Sequence, residues 1–306
     1  MAKRASKIMI HANIQRVNNA SSFQLPRSQN NFIIHSQLNS FEKRDSNSVF
    51  SVKLVLSGTE RYQINDKRYD LSRGDFLIVD QKQELNICFN EQNIAEGMCF
   101  YFNRNYLDQF ISLSAHGESW GLDHYSLKDQ KYDLLSGKFK IKESLFGQYL
   151  EKTARAILKN KASIISEDVF IDLSSRLVQQ QKNVFKDLNQ LSSLKMSTRK
   201  ELYARALIAK HYIEDNVFDA IRIEDLAMVS SLSEVQLYRA FKQIFKISPY
   251  QFILTTKLNR AAQLIRSKEY SVSAISVLLG FADLPTFSKA FKRQFSIAPT
   301  LFALHN

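Results

Sequence analysis

Five cationic side chains near the C-terminus are spaced so that helices would present them together. Arg239 and Lys242 lie three residues apart, and fifty residues further on Lys289, Lys292 and Arg293 follow the same spacing. Residues three and four apart are neighbours on one face of a helix. Guanidinium and ammonium groups on such a face bind anionic oxygens, above all phosphates. The chemistry that these residues predict is anion recognition at two matched places.

These cations belong to an internal repeat. Residues 226–252 read LAMVSSLSEVQLYRAFKQIFKISPYQF, and residues 275–302 read ISVLLGFADLPTFSKAFKRQFSIAPTLF. Similarity maintained over a fixed period marks a repeated structural unit. The alignment pairs Arg239 with Lys289, Phe241 with Phe291, Phe245 with Phe295, Ile247 with Ile297 and Pro249 with Pro299.

The first unit has the pattern of a helix, a tight turn and a second helix. Ser231 and Leu232 form the predicted turn, and Ser233 with Gln236 forms a capping box that starts the second helix. One face of that helix is expected to point outward, and the opposite face to pack in a core. The predicted outward residues are Val235, Tyr238, Arg239 and Lys242, and the inward ones are Leu237, Phe241 and Ile244.

The second unit repeats this organisation with different residues. Gly280 lies at the predicted turn, Asp283 is the predicted N-cap, and Pro285 lies in the first helical turn, where its missing N–H has no cost. Helices presented in this way fit the major groove of DNA, with flanking cations on the phosphates. The outward residues are Leu284, Pro285, Thr286 and Lys289; Phe287, Phe291 and Phe295 are inward, and Lys292 and Arg293 lie at the flank.

Residues 203–302 resemble the DNA-binding domain of the AraC/XylS family of bacterial transcription regulators. The most specific segment is I-S-x-x-L-G-F-A-D-L-P-T-F-S-K-A-F-K-R-Q-F-S-I-A-P at 275–299. The resemblance implies two readers of adjacent major-groove segments, joined by a rigid helix. It assigns base reading by position to Val235, Tyr238, Arg239, Leu284, Pro285 and Lys289.

The chain departs from the family pattern at four places. Lys246 and Ser296 stand where glycine is usual, and Ser231 stands at a turn often given to glycine. These three concern turn geometry. Lys289 stands where arginine is common, and an ammonium lacks the planar fork with which a guanidinium contacts guanine.

The charge distribution favours the same end of the chain. The net charge is +12, and residues 235–306 hold ten Lys and Arg against two acids, Glu269 and Asp283. Such an excess fits nucleic acid or an anionic membrane surface. No apolar stretch approaches the roughly 20 residues that span a bilayer, and the N-terminus lacks a leader pattern. Cys88 and Cys99 are expected to be buried apolar side chains without a disulfide framework. We expect a cytoplasmic protein.

The N-terminal half predicts a β structure. Short runs rich in Val, Ile, Phe and Tyr fill residues 49–102, separated by Gly58, Asn65-Asp66 and Gly74. This pattern is typical of a small antiparallel barrel or sandwich. Residues 52–80 resemble the cupin-like effector and dimerisation domain of many family members. The first ~40 residues are expected to be irregular, apart from a strand at 32–35.

The predicted fold class is therefore a multidomain α+β protein, with a cupin-like barrel followed by helices and an all-α tandem helix-turn-helix domain. We expect a regulatory domain at 1–138, a helical dimerisation segment at 139–188, a linker at 189–200 and the DNA-binding domain at 201–306. The apolar stripes of the helical segment suit pairing between two copies.

Two other classes of protein compete with this interpretation. A cupin metalloenzyme needs histidine ligands on its strands, and residues 50–105 contain none. His116, Glu118 and His124 could gather around a metal only in a loop-like stretch, and Trp120 in that stretch is expected to be a core or lid residue. A nucleoid-type binder without sequence preference is disfavoured by the capped reading helices.

We therefore expect a sequence-specific transcription regulator, an activator, with no catalytic site, metal or cofactor. Its expected partners are double-stranded DNA, a second copy of the chain, RNA polymerase, and a small-molecule or protein effector at the N-terminal domain. No membrane partner is expected.

Overall fold

The computed structural model describes residues 11–18, 30–115, 134–191 and 195–305. The chain divides into two compact units, residues 1–189 and 190–306.

The N-terminal unit is built on a nine-stranded sheet that curls into a nearly closed barrel. The order of the main path is β8-β6-β3-β7-β2-β1-β9, and β4 pairs with both β7 and β5. Every described pair is antiparallel except β1 with β2. The strands are β1 (His11–Val17), β2 (Phe32–Asp45), β3 (Ser51–Ser57), β4 (Thr59–Ile64), β5 (Lys67–Ser72), β6 (Asp75–Val79), β7 (Leu85–Tyr101), β8 (Gly137–Lys140) and β9 (Ile164–Ser166).

The long strand β7 organises the barrel. It pairs with β2 along one edge, and with β3 and then β4 along the other. The chain passes from β3 to β4 at Gly58, whose φ is +74°. A side chain there would meet the backbone of Ala95 on β7 at 2.8 Å, so only glycine fits. The sharp corner at Gly58 is what allows two successive strands to share one edge of β7.

The N-terminal unit also contains three helices: α1 (Arg104–Ala115), α2 (Leu145–Lys159) and α3 (Glu167–Asn189). Ser144 caps α2 by accepting a hydrogen bond from the Gly147 N–H at 3.0 Å. Phe170 of α3 packs edge-on against Phe102 at 5.3 Å between ring centroids. Of the six apolar residues predicted for the stripe of α3, Val169 is only partly buried, and Phe170, Leu173, Leu177, Val178 and Val184 are buried within the chain itself. The stripe is therefore part of the core of this unit, and the expectation that it pairs with a second copy is wrong.

The structure corrects three further predictions about this half of the chain. The first ~40 residues are not simply irregular, because β1 is a strand and β2 continues to Asp45. The segment 139–188 is not wholly helical, since β9 lies within it and pairs with β1. Strand β9 has only three residues, none of them buried, and so short a run shows no hydrophobic period in the sequence. The linker predicted at 189–200 is too long, because α4 begins at Met196.

The C-terminal unit is entirely helical in its described residues, and two apolar cores share one long helix, α7. Phe252 and Ile253, near the start of α7, pack against the core that α5 and α6 form. Leu258, Ala261 and Ile265, further along, belong to the core that includes α8 and α9. The helices are α4 (Met196–Asp215), α5 (Ile223–Ser230), α6 (Glu234–Phe245), α7 (Pro249–Ser267), α8 (Val272–Leu278), α9 (Leu284–Phe295) and α10 (Pro299–His305).

Among the described residues, no helix combines the length and the apolar character needed to cross a membrane.

Candidate nucleic-acid interface

Helix α6 begins where the sequence predicts. Ser231 ends α5 in the left-handed conformation, with φ 51° and ψ 43°. The Ser233 hydroxyl then accepts from the Gln236 N–H at 3.2 Å, and the Ser233 N–H donates to Gln236 Oε1 at 3.1 Å. This reciprocal pair is the capping box, and it satisfies N–H groups that the first turn leaves unpaired. The turn and the cap together determine the direction of α6.

The two faces of α6 are also as predicted. Leu237, Phe241 and Ile244 are buried. Leu237 and Phe241 belong to the core that α6 forms with α4, α5 and the start of α7. The predicted outward residues all lie on the exposed face: Val235 (61% exposed), Tyr238 (44%), Arg239 and Lys242. Large apolar side chains that are left so exposed at the start of a helix indicate a surface that contacts a partner.

Helix α9 is capped by a charged residue. Asp283 Oδ1 accepts from the Thr286 N–H at 2.6 Å. This hydrogen bond lowers the pKa of the Asp283 carboxyl, because it favours the ionised form. Gly280, with φ +69°, forms the turn before it. The left-handed residue precedes the cap by three positions here and by two in the first unit, so the second turn is one residue longer.

The exposed face of α9 holds the second predicted set. Phe287 and Phe291 are fully buried and Phe295 packs partly buried against the same core. Lys292 and Arg293 lie in the last turn, where cations are favoured by the helix dipole. All five predicted site residues of this helix are exposed: Leu284, Pro285, Lys289, Lys292 and Arg293.

The same aromatic triad packs beneath both α6 and α9. Phe241, Phe245 and Phe252 form the first triad, with centroid separations of 4.7, 5.6 and 6.3 Å. The second triad lies fifty residues on, at Phe291, Phe295 and Phe302, with separations of 4.5, 5.4 and 5.9 Å. The first triad joins α6 to α7, and the second joins α9 to α10. The repeat in sequence is therefore a repeat in packing.

The two family glycine positions that this chain fills differently retain the geometry that favours glycine. Lys246 ends α6 with φ 64°, and Ser296 ends α9 with φ 61°. Both are left-handed conformations, which cost a residue with a side chain more than they cost glycine. The departures at Lys246 and Ser296 therefore change the local strain and not the direction of the chain.

Two cations that the sequence analysis did not single out hold the turns in place. Arg205 Nη1 of α4 donates to the carbonyl of Ser230 at 3.2 Å, at the end of α5. Lys257 Nζ of α7 donates to the carbonyl of Leu279 at 2.8 Å, just beyond α8. Burial lowers the pKa of the Lys257 ammonium. Both contacts join residues more than twenty positions apart, so local sequence patterns contain no signal for them.

The structure corrects the expectation for the cysteines. Cys88 is exposed, because its neighbours Ile87 and Phe89 on β7 point into the barrel and side chains alternate along a strand. Cys99 is half-buried and its Sγ lies 3.2 Å from Lys53 Nζ, so its surroundings are polar.

No cluster of His, Cys, Asp and Glu suited to a metal occurs among the residues that the structure describes. The loop metal candidates His116, Glu118 and His124, and Trp120 with them, lie outside the described residues.

Comparison with known proteins identifies the class. A helix-turn-helix domain family matches residues 226–303. The probable transcriptional regulator LumQ of Photobacterium leiognathi is 30% identical over 254 residues, covering 81% of this chain and 87% of LumQ. An uncharacterized HTH-type transcriptional regulator, YdeC of Bacillus subtilis, is 19% identical over 299 residues, covering 97% of this chain and 98% of YdeC.

Two solved structures are also similar. One is a transcriptional regulator with an AraC-type DNA-binding domain from Chromobacterium violaceum, 30% identical, with a TM-score of 0.32 over 33% of this chain and 89% of that one. The other is the apo form of a lysine-to-alanine variant of ToxT from Vibrio cholerae, 12% identical, with a TM-score of 0.35 over 94% of this chain and 99% of that one.

The length and identity of the match to LumQ define a DNA-binding transcriptional regulator. The chain belongs to the AraC/XylS family.

Proposed function

We propose that this regulator binds a specific DNA sequence by placing α6 and α9 in two adjacent major-groove segments. The observation that carries the proposal is the repeated construction of the two helices. Each has a capped start, an aromatic triad centred on a buried phenylalanine, and an exposed face with cations. A capped helix start aimed outward is the geometry with which helix-turn-helix proteins approach base edges.

The proposed contacts divide into two kinds. Residues near the helix starts read base edges, and cations further along bind phosphates, which position the protein without reading sequence. Arg239 is long enough for a two-pronged contact with a guanine, and Lys289 supplies a single ammonium at the matching position. The base readers are Val235, Tyr238, Arg239, Leu284, Pro285 and Lys289, and the phosphate contacts are Lys242, Lys292 and Arg293.

Helix α7 supports the proposal that the readers act together. Because α7 packs in both cores, α6 and α9 are held on one scaffold within the C-terminal unit. Two readers at a constant separation recognise two segments at a constant separation, which a single helix cannot do.

The N-terminal unit is proposed to dimerise the protein and to receive an effector. Leu145 of α2 (77% exposed) and Ile171 of α3 (44%) are large apolar side chains open to a partner. The occupant is a second copy of the chain, pairing through α2 and α3. A small molecule or a protein effector at this unit changes DNA occupancy by shifting the population of binding-competent protein.

The family also suggests transcriptional activation, with RNA polymerase as a contact and the cytoplasm as the location. The protein is proposed to have no catalytic step and no membrane partner. A reporter placed behind the selected DNA site distinguishes activation from repression. Expression that falls when the gene for this chain is deleted supports activation, and expression that rises contradicts it.

Selection of binding sites from random DNA tests the central proposal. We expect one enriched motif with two segments, and an affinity that falls steeply with salt, because several cations displace counterions. Residues 195–306 alone should bind the same motif. A non-specific binder would enrich no motif, and a regulator whose readers lie elsewhere would lose binding in the fragment.

A further inference from the structure

Lys53 and Cys99 lie directly opposite each other on two strands of the N-terminal barrel. The antiparallel register of β3 and β7 pairs these two residues, and paired residues project from the same face of a sheet. Lys53 Nζ donates a hydrogen bond to Cys99 Sγ at 3.2 Å. On its other edge β7 pairs Cys99 with Ile34 of β2, so the contact is held inside the sheet and not at its margin.

The ammonium of Lys53 is buried and has no acid as its partner. Lys53 is only 3% exposed, and a buried charge is costly unless its neighbours compensate for it. In the part of the chain that the structure describes, no carboxylate forms an ion pair with Lys53. The acid nearby, Glu60, accepts a hydrogen bond from the Tyr62 hydroxyl, and burial raises the pKa of Glu60, which favours its neutral form. The sulfur of Cys99 is therefore the acceptor that faces the Lys53 ammonium.

Both side chains also line a small cavity between β2, β3, β4 and β7. The space open to the centre of a water-sized molecule is about 40 Å³. One water needs roughly 10–15 Å³ of such space, so a molecule with two heavy atoms fits and a larger organic compound does not. Cys99 is half-buried, so the site is not sealed from solvent.

The neighbours of Cys99 favour a negatively charged sulfur. A thiolate, and not a thiol, is the nucleophile in cysteine chemistry, and a cation beside the sulfur stabilises the thiolate. Burial raises the pKa of Tyr101 well above its ordinary value, and the neighbouring Cys99 adds to this effect, so the Tyr101 hydroxyl stays protonated. The sulfur therefore has an ammonium and a protonated hydroxyl beside it, and space in front of it for a small oxidant.

We propose that Cys99 is a site of reversible oxidation by hydroperoxides, at which Lys53 stabilises the sulfur and donates a proton to the leaving oxygen. The Cys99 thiolate attacks one oxygen of hydrogen peroxide, so that a sulfur–oxygen bond forms and the oxygen–oxygen bond breaks. The second oxygen leaves as hydroxide and takes a proton from the Lys53 ammonium. The products are a sulfenic acid, water and a neutral amine, which regains its proton from solvent. The sulfur loses two electrons, and the peroxide gains them.

The second cysteine of the chain provides a matched comparison. Cys88 lies on the same strand and is exposed, and no residue that the structure describes donates a hydrogen bond to its sulfur. If exposure alone decided the rate, Cys88 would react faster than Cys99. If the Lys53 contact decides it, Cys99 reacts faster.

The test treats the reduced full chain with hydrogen peroxide and traps sulfenic acids with dimedone. Peptide mass spectrometry then measures the rate of labelling at each cysteine. We expect Cys99 to be labelled about tenfold faster than Cys88, because reactivity follows thiolate character. Dithiothreitol added before dimedone should abolish the labelling, since a sulfenic acid is reduced by thiols.

Variants localise the cause of the reactivity. Lys53→Met retains the length of the side chain without the ammonium, and should lower the rate at Cys99 to that of Cys88 or below. A variant that merely loosened the barrel would expose Cys99 and raise its rate, so a fall is specific to the lost charge. Lys142→Met removes an exposed lysine from the same unit and should leave both rates unchanged. If Lys53→Met fails to fold by circular dichroism, the comparison of the two cysteines in the natural chain still decides.

Three results overturn the proposal: Cys88 reacts as fast as Cys99 or faster, neither cysteine is labelled, or folded Lys53→Met retains or raises the rate at Cys99. The inference does not rest on the proposed DNA binding, because oxidation is measured without DNA. A chain that selects no DNA motif can still be oxidised at Cys99, and a chain whose Cys99 is inert can still select a motif.

Discussion

Lys257 and Leu279 join α7 to the turn that precedes α9: the ammonium of Lys257 lies 2.8 Å from the Leu279 carbonyl oxygen. The next residue is Gly280, at the left-handed turn that leads to α9. Arg205 makes the equivalent contact with Ser230 in the first unit. In both units a cation from a long helix contacts the end of the short helix that precedes α6 or α9.

Lys257→Met should lower the free energy of unfolding by about 1–2 kcal/mol, because a charge-assisted hydrogen bond is lost while the aliphatic stem is retained. It should also weaken protection of the DNA segment that α9 contacts. Urea unfolding and DNA footprinting measure the two effects. Lys268→Met is the control, since it removes an exposed charge at the end of the same helix. Equal effects of the two substitutions would show that stability is lost because a charge is removed, and not because the contact with Leu279 is broken.

The two N-caps should respond differently to pH. The hydrogen bond from Thr286 holds the pKa of Asp283 below its ordinary 3.8. The stability that the ionised cap provides is therefore present above pH 3.8 and is lost as the pH falls through the lower folded pKa. Asp283→Asn retains an acceptor that cannot ionise, so this loss of stability at low pH should disappear.

Ser233→Ala provides the matched comparison in the first unit. It should reduce stability by about 1 kcal/mol at every pH, because a hydroxyl cap does not titrate in this range. Urea unfolding between pH 2 and 7 measures both variants. An unchanged acid dependence in Asp283→Asn would exclude the cap as its source.

Arg239 and Lys242 should separate base reading from phosphate binding. Arg239→Ala should cost about 1–3 kcal/mol for the preferred site and relax the preference at one base position. Lys242→Ala should weaken binding to all sequences equally and reduce the salt slope by about one unit. Site selection with the natural chain and both variants is the measurement. The same motif from all three would mean that Arg239 lies on a solvated basic face.

The repeated aromatic triads predict matched losses of stability. Phe241→Leu and Phe291→Leu should each cost roughly 1–2 kcal/mol, because each leaves a void among rings in the same arrangement. Each should weaken binding to one of the two proposed DNA segments more than to the other. Unfolding measures the loss of stability, and footprinting measures the loss of binding. A loss confined to one variant would show that the two cores are not equivalent.

The dimer proposal depends on exposed apolar residues. Leu145→Asp or Ile171→Asp should convert the full chain to a monomer at micromolar concentration, because a carboxylate would be desolvated at the interface. Light scattering measures the mass. Val235→Asp, an exposed apolar change in the other unit, is the control and should leave the dimer intact. A natural chain that is monomeric with and without DNA would contradict the proposal.

Local rules explain what could be predicted from sequence. A capping box needs only Ser233 and Gln236, three residues apart, and the inward face of α6 follows from helical period, so both were predicted correctly. Contacts such as Lys257 with Leu279 depend on how helices pack, and no local pattern encodes them.

The burial of Lys53 in the barrel was not predicted, and the reason is different. Residues 51–55 of β3, with Lys53 among them, are all buried, so its alternation does not distinguish an inward face from an outward one. A lysine there looks like an ordinary surface residue of a strand. Its burial becomes apparent only when β7 and β4 are in place around it.

The shared helix α7 has a consequence for how the regulatory DNA can evolve. Because α6 and α9 both pack on α7, a base substitution in the proposed DNA site alters one contact and leaves the other half intact. A single inserted base pair rotates the second segment by about 34° away from its reader. The DNA sites proposed for this protein should therefore differ from one another in base sequence but not in spacing, and should align without gaps.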